Sequence, residues 1–245
     1  MLLGPASAPC YNLLMVNTRA LPIVLLPGMH GTRELLKDLS DQLSLHRTTR
    51  PLDYPRDHRF AYAELAAFVR TCVPDCPYVI LGESFSGPIA IEIAATDSRV
   101  RGLVLASSFA RHPLPAQLAF LGGFAAWTPK WIVAAILLGR GAAPDIKAQL
   151  SGTLADFLRE REVVRTRVKE LLTFDKRDRL GQIKCPVLCL RGRRDWLVRR
   201  KSVEVIANAI PNCEVHLLDA SHMVLTTHAE VAACLINRFC RGLEA

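Results

Sequence analysis

A chain of 245 residues, half of them hydrophobic but only 7% aromatic, has the aliphatic material for one large α/β core or two small domains without disulfide staples, and the same composition excludes disorder. Its net charge of +8 is spread over scattered arginines, with no lysine tract, basic tail or recognition motif. Nucleic acid is therefore a poor partner, and an acidic partner or anionic substrate is a better use for the charge.

The eight cysteines include no C-x-x-C and lie mostly in apolar runs, which argues against a disulfide framework or zinc site and suits a reducing compartment. The opening ten residues have neither a positive n-region nor a sustained apolar core, so no secretory signal is expected and the protein is read as cytoplasmic. Residues 1–20 form an N-terminal segment in which Tyr11 to Val16 could add an edge strand. Leu21 to Leu26 is a strand-like run that stops at Pro27-Gly28-Met29-His30-Gly31-Thr32, and a helical stretch from Arg33 to Leu45 follows. A loop of small residues after an early strand can aim backbone N–H groups at a developing oxyanion. Arg47 to Leu52 predicts another strand, Asp53 to Arg59 a loop, and Phe60 to Cys72 a helix.

Residues 78 to 95 carry the strongest signal. Tyr78 to Leu81 reads as a buried strand, and from Ile89 onward the pattern is helical, so strand becomes helix across a few residues. Gly82, Ser86 and Gly87 are the small residues that such a tight turn needs, and Ser84 is its apex. A serine held there, above the strand end and beside the free N–H groups of a helix N-terminus, has the geometry of an acyl-transfer nucleophile. As a plain strand-to-helix connection, the same turn would use Ser84 only as an N-cap. Glu83, beside the apex, could touch substrate.

Gly102 to Ala106 predicts a further buried strand. Repeated strand–helix alternation to this point argues for a parallel, doubly wound sheet. From Arg111 to about Asp175 the alternation stops and the sequence reads as helical, with breaks at Pro113, Pro115, Pro129, Gly139 to Gly141 and Pro144. Its first half is apolar and contains Trp127 and Trp131; its second half, Ala155 to Leu172, is amphipathic and basic. Arg161, Arg165 and Lys169 recur every fourth residue and form one stripe, flanked by Arg159 and Arg167 and diluted by Glu160, Glu162 and Glu170. Ala116 to Gly139 is apolar enough to suggest a membrane span, but Pro129 and Lys130 interrupt it, so no stable insertion is expected. The expected organisation is an α/β core of residues 21–110 and 176–245 with a helical lid at 111–175.

Alternation resumes with a strand from Pro186 to Arg191, a loop containing Asp195 and a helix from Arg199 to Ala209. Cys213 to Leu218 predicts the last strand, ending in Asp219-Ala220-Ser221-His222, and a closing helix runs from His228 to Arg241. A serine nucleophile needs an imidazole to take its proton and a carboxylate to hold that imidazole's tautomer. Asp195 and His222 each follow a strand, and in a parallel sheet their loops share the carboxyl edge with Ser84. Asp219 better suits capping of its own loop; His216 and His228 read as structural, and His30 as shaping its loop.

The order Ser84, Asp195, His222 resembles the serine hydrolases of the α/β-hydrolase fold, the carboxylesterase and lipase-like superfamily, over most of residues 21–240. Leu26 to Thr32 resembles that family's oxyanion loop, which implies the Met29 and Phe85 N–H groups as donors. Arg191 to Asp195 resembles its acid loop, and Asp219 to His222 its histidine loop. Two features depart from the family: Ser86 stands where a glycine is usual, and the early antiparallel strands are reduced or missing. The resemblance implies hydrolysis of a small-molecule carboxylic ester with an apolar acyl group, through an acyl-serine intermediate and with no metal or cofactor. Alternatives are an esterase or thioesterase working on acyl groups borne by an acidic carrier protein, similar to a pimeloyl-carrier methyl esterase, and a non-catalytic ligand-binding homologue.

Overall fold

Short aliphatic runs become the four central strands, and their nearly complete burial shows why they are not amphipathic. The computed structural model describes residues 20–113, 137–139 and 142–244. β1 (Ile23–Leu26) and β3 (Tyr78–Glu83) are buried at every position, as is β5 (Val187–Gly192), while β4 (Val100–Ala106) exposes only Arg101. Together with β2 (Thr49–Pro51) and β6 (Cys213–Leu218) they form one parallel six-stranded sheet in the order β2-β1-β3-β4-β5-β6. Parallel strands covered on both faces bury both rows of side chains, hence the continuous apolar runs. The edges differ. Pro51 sits in edge strand β2, where a missing N–H costs least, and β6 exposes Glu214 and Val215.

Helices cover the two faces. On one lie α2 (Tyr62–Cys72), α3 (Gly87–Thr96), the short α6 (Arg177–Leu180) and α7 (Arg200–Ala209), contributing Leu65, Ile89, Ile93, Leu180 and Ile206 to a core with Ile80 and Leu103. On the other lie α1 (Lys37–Ser44), the short α8 (Val224–Thr227) and α9 (Ala229–Glu244), packing Leu39, Leu225 and Ile236 against Leu25, Leu81 and Val104. The buried Arg47 clips the α1–β2 connection to the far end of the chain, donating to Glu244 at 2.7 Å, to Asn237 at 3.0 Å and to the Leu21 carbonyl at 3.0 Å. Removing one partner of a buried pair of this kind typically costs about 3–5 kcal/mol.

Between β4 and β5 come α4 (Pro144–Arg159) and α5 (Arg161–Thr173). The basic amphipathic stretch expected from Ala155 to Leu172 is divided, because Glu160 (φ −84°, ψ 63°) leaves the helical region and starts a new axis. Arg167 does not flank an exposed stripe either. It lies two residues beyond Arg165, on the opposite side of α5, and is 1% exposed. The closing helix expected from His228 to Arg241 is the unbroken α9, and His228 (φ −135°, ψ 43°) separates it from the additional short turn α8. The suggested strand at Tyr11 to Val16, Trp127, Trp131 and nearly all of Ala116 to Gly139 lie outside the described residues. Among the described residues, no helix is long and apolar enough to cross a membrane.

The chain leaves β1 for β2 on one side and later returns to β3 on the other. The carboxyl ends of β1 and β3 therefore flank a topological switch point, where parallel α/β sheets open a crevice.

Candidate active site

Ser84 begins the tight turn between β3 and α3 with φ of 47°, a left-handed conformation that costs a non-glycine residue about 1–3 kcal/mol. The neighbours must be small for the chain to fold back so sharply. A Cβ on Gly82 would lie 2.7 Å from the Ser86 carbonyl oxygen, and one on Gly87 would lie 1.6 Å from Ser108 Oγ. Ser108 Oγ donates to the Ser84 carbonyl at 2.7 Å. Ser86 is fully buried and its hydroxyl is used: Tyr54 O–H donates to it at 2.5 Å, and it donates to the Pro27 carbonyl at the end of β1. Serine in the usual glycine position thus ties the turn to the neighbouring loop.

The Ser84 hydroxyl donates to His222 Nε2 at 2.8 Å, and His222 Nδ1–H donates to Asp195 Oδ2 at 3.0 Å. These roles follow from the acceptor-only carboxylate, which leaves Nε2 as the accepting nitrogen. Asp195 Oδ1 accepts the Leu197 and Val198 N–H groups at 3.0 and 2.9 Å. Burial pushes the Asp195 carboxyl up, but the hydrogen bonds from His222 and the two backbone groups outweigh it and leave the carboxyl below its ordinary value. Arg191, itself buried, holds this loop closed by donating to the Val198 and Asp195 carbonyls, each at 2.8 Å. Asp219 is exposed and pairs with Arg194 instead of the imidazole.

The loop after β1 completes the site. Its Gly28 N–H donates to Glu83 Oε2 at 3.1 Å, and among the described residues the Met29 N–H meets no protein acceptor. Arg167 reaches in from α5, donating to the Met29 carbonyl at 2.7 Å and the Pro55 carbonyl at 3.2 Å while its guanidinium lies against the Tyr54 and Phe157 rings. Among the described residues it has no carboxylate partner, and burial pushes its pKa down to about 10. Gly31, at φ 77°, gives it room: a Cβ there would lie 2.4 Å from Arg167 Nη1.

Ser84, His222, Met29 and Phe85 line a cavity of about 140 Å³ whose other walls are largely apolar, with Leu150, Leu154 and Phe157 from α4 and Leu171 from α5. Glu83 and His30 line it too. Burial raises the Glu83 carboxyl to about 7, against smaller lowering effects from His222 and the Gly28 N–H. Burial, aided by Arg167, lowers the His30 ring to about 4. Among the described residues, no group of three His, Cys, Asp or Glu side chains could hold a metal ion.

A family model described as the alpha/beta hydrolase family matches residues 13–234. The chain belongs to that family. Solved structures agree on the fold of this hydrolase family member. An esterase from Exiguobacterium antarcticum shares 15% identity at a TM-score of 0.79, with 90% of this chain and 92% of the other covered. The corresponding values are 18%, 0.77, 92% and 91% for a thermophilic esterase from Thermogutta terrifontis. For an enol-lactonase from Burkholderia xenovorans LB400 they are 19%, 0.73, 90% and 91%.

Of the residues singled out in the sequence, Ser84, His222 and Asp195 are joined by hydrogen bonds, and Met29 and Phe85 flank Ser84 in the cavity wall. His216 lies in β6 beside Glu214 at 2.5 Å, away from the cavity, and His228 caps α8. Sequence reasoning missed Tyr54, Ser108, Arg167 and Arg191, whose partners are remote in the chain or are backbone carbonyls. Only Arg167 left a trace, as a basic residue out of phase with its neighbours' stripe.

Proposed function

We propose that the protein is a serine esterase that cleaves carboxylic esters through an acyl intermediate on Ser84. The observation that carries this reading is the Ser84–His222–Asp195 hydrogen-bond relay, with Ser84 held at φ 47° in the wall of an apolar cavity. Ser84 Oγ attacks the ester carbonyl as its proton passes to His222 Nε2, and Asp195 stabilises the imidazolium through Nδ1–H. The Met29 and Phe85 N–H groups receive the oxyanion, a contribution that typically amounts to about 3–4 kcal/mol per donor. When the tetrahedral intermediate collapses, the leaving alkoxide takes the proton from His222. Water then attacks the acyl-serine by the same route and regenerates Ser84.

The α4 and α5 residues in the cavity wall support an apolar acyl group, and these helices would serve as a lid. Neighbours bearing the names esterase and lactonase fit the same chemistry, since a lactone is an internal ester. The test is labelling with a fluorophosphonate probe alongside hydrolysis of p-nitrophenyl esters of increasing acyl length. Labelling at Ser84 and turnover that both vanish in Ser84→Ala support the reading. An unlabelled, inactive protein that still binds apolar ligands would replace it with a ligand-binding role.

A further inference from the structure

Glu83 Oε1 and His30 Nε2 take no part in acyl transfer as described above, yet both side chains line the cavity beside Ser84 and His222. Neither atom makes a hydrogen bond with a described residue, although Glu83 is only 2% exposed and His30 only 8%. The two side chains converge on the same glycine. A Cβ on Gly28 would lie 3.2 Å from His30 Nε2 and 3.4 Å from Glu83 Oε2. A buried polar group left unpaired costs about 1–3 kcal/mol, so two side by side in an otherwise apolar wall call for a partner.

Their hydrogen-bonding capacities are fixed by their other contacts. His30 Nδ1 accepts the Thr32 N–H at 3.2 Å, so in the neutral ring Nε2 carries the hydrogen and is a donor. The ring stays neutral near pH 7 because burial and Arg167 disfavour its protonation. Glu83 Oε2 is engaged with the Gly28 N–H, which leaves Oε1 over. The cavity thus presents one unpaired donor and one unpaired carboxyl oxygen, both within the wall that holds the attacking serine.

We propose that the substrate carries, near its scissile carbonyl, a neutral polar group that accepts from His30 Nε2–H and donates to Glu83 Oε1. A hydroxyl or a secondary amide on an otherwise apolar acyl group has this chemistry. A substrate carboxylate does not once Glu83 ionises, above about pH 7, since two like charges would then meet, and an ammonium group does not, since it offers His30 no acceptor. The inference rests on the reading of Ser84 as the nucleophile.

The experiment measures kcat/KM for p-nitrophenyl hexanoate and for its analogues with a hydroxyl or an acetamido group at the second, third or fourth carbon. At least one analogue should be preferred by about tenfold to a hundredfold, since two hydrogen bonds would form and two buried groups would be satisfied. The hydroxyl and acetamido series separate the two candidate groups. The preference should collapse in His30→Leu and return in part in His30→Gln, whose amide nitrogen reaches towards the position of Nε2. Both variants lose the Thr32 N–H acceptor, so damage to the loop is common to them, and the ratio within each protein cancels it. Turnover of the plain ester with no preference in the wild-type protein would overturn this inference while leaving the esterase reading intact. Equal losses on plain and polar substrates in His30→Leu would also overturn it. Absence of both turnover and Ser84 labelling would remove the esterase reading itself.

Discussion

Replacing Glu83 by glutamine should stabilise the protein at alkaline pH and not at acid pH. The fully buried carboxyl titrates at about 7 in the fold against an ordinary value of 4.5. Because the folded pKa is the higher one, the fold prefers the protonated group. That preference is complete below the unfolded value, shrinks as pH rises through the window between them, and is gone above about 7. At about 1.4 kcal/mol per pKa unit, the ionised carboxylate therefore weakens the fold by an amount on the order of 3 kcal/mol relative to its protonated form. Glutamine keeps an amide oxygen for the Gly28 N–H and never ionises. The difference in unfolding free energy between variant and wild type should be small near about pH 4.5 and should grow to a few kcal/mol in the variant's favour near about pH 8. His30 titrates in the opposite sense, its lowered pKa removing stability as pH falls from 6.5 towards about 4, but it is present in both proteins and cancels in the difference. Urea unfolding of the two proteins across this range is the assay. A difference that stays constant with pH would refute the reasoning, since it would mean that Glu83 is not desolvated in the fold.

Four other outcomes are expected. Ser84→Ala should lower ester turnover by about 10⁴ to 10⁶ with an unchanged far-ultraviolet spectrum, and retention of more than about a tenth of the activity would exclude Ser84 as nucleophile. Asp195→Asn should lower kcat by about 10⁴ while Asp219→Asn, altering a carboxylate paired with Arg194 at the surface, should change it little; the reverse order in steady-state kinetics would reassign the acid. Arg167→Met should reduce kcat more than it raises KM, because the Met29 carbonyl loses its clamp, and a pure KM effect would show that Arg167 only shapes the acyl cavity. Reversing the exposed Arg161, Arg165 and Lys169 to glutamate should selectively impair an acyl group borne by an acidic carrier protein at low salt if α5 docks such a partner, and equal effects on a neutral short ester would dismiss that docking.

The strand ends were legible because buried parallel strands are short aliphatic runs and the residues after them are punctuated by glycine, proline and acidic residues. That is why Ser84, Asp195 and His222 could be placed on one sheet edge from spacing alone. Side-chain-to-carbonyl contacts leave no such pattern. Arg167 read as a flank of a basic stripe and Arg191 only as the end of a strand, but each is buried and donates to backbone carbonyls 4 to 138 residues away. Ser86 stood out as a departure, and its reason, a hydroxyl bridge from Tyr54 to Pro27, needs two other segments to be in place. The division of the insertion at Glu160 was hidden for a different reason: a charged residue in a helical stretch carries no breaking signal, and only its backbone angles reveal the turn.

Four costly features of this protein are gathered at one place. Ser84 is strained, Glu83 is desolvated, His30 is held neutral and Arg167 is buried without a carboxylate partner among the described residues, and all four bear on the loop after β1 or the turn after β3. Arg167 meets the loop at the Met29 carbonyl, and Glu83 meets it at the Gly28 N–H. The two groups thus grip consecutive residues of the loop by opposite poles of the backbone. That grip brackets the Gly28–Met29 peptide, whose N–H would receive an oxyanion and whose carbonyl accepts the Gly31 N–H at 2.9 Å in a local turn. The aliphatic cores on the two faces of the sheet supply the stability that offsets these costs. Departures from the rules of packing and charge pairing therefore mark the site independently of the serine, and they would have drawn attention to this loop even if residue 84 had been alanine.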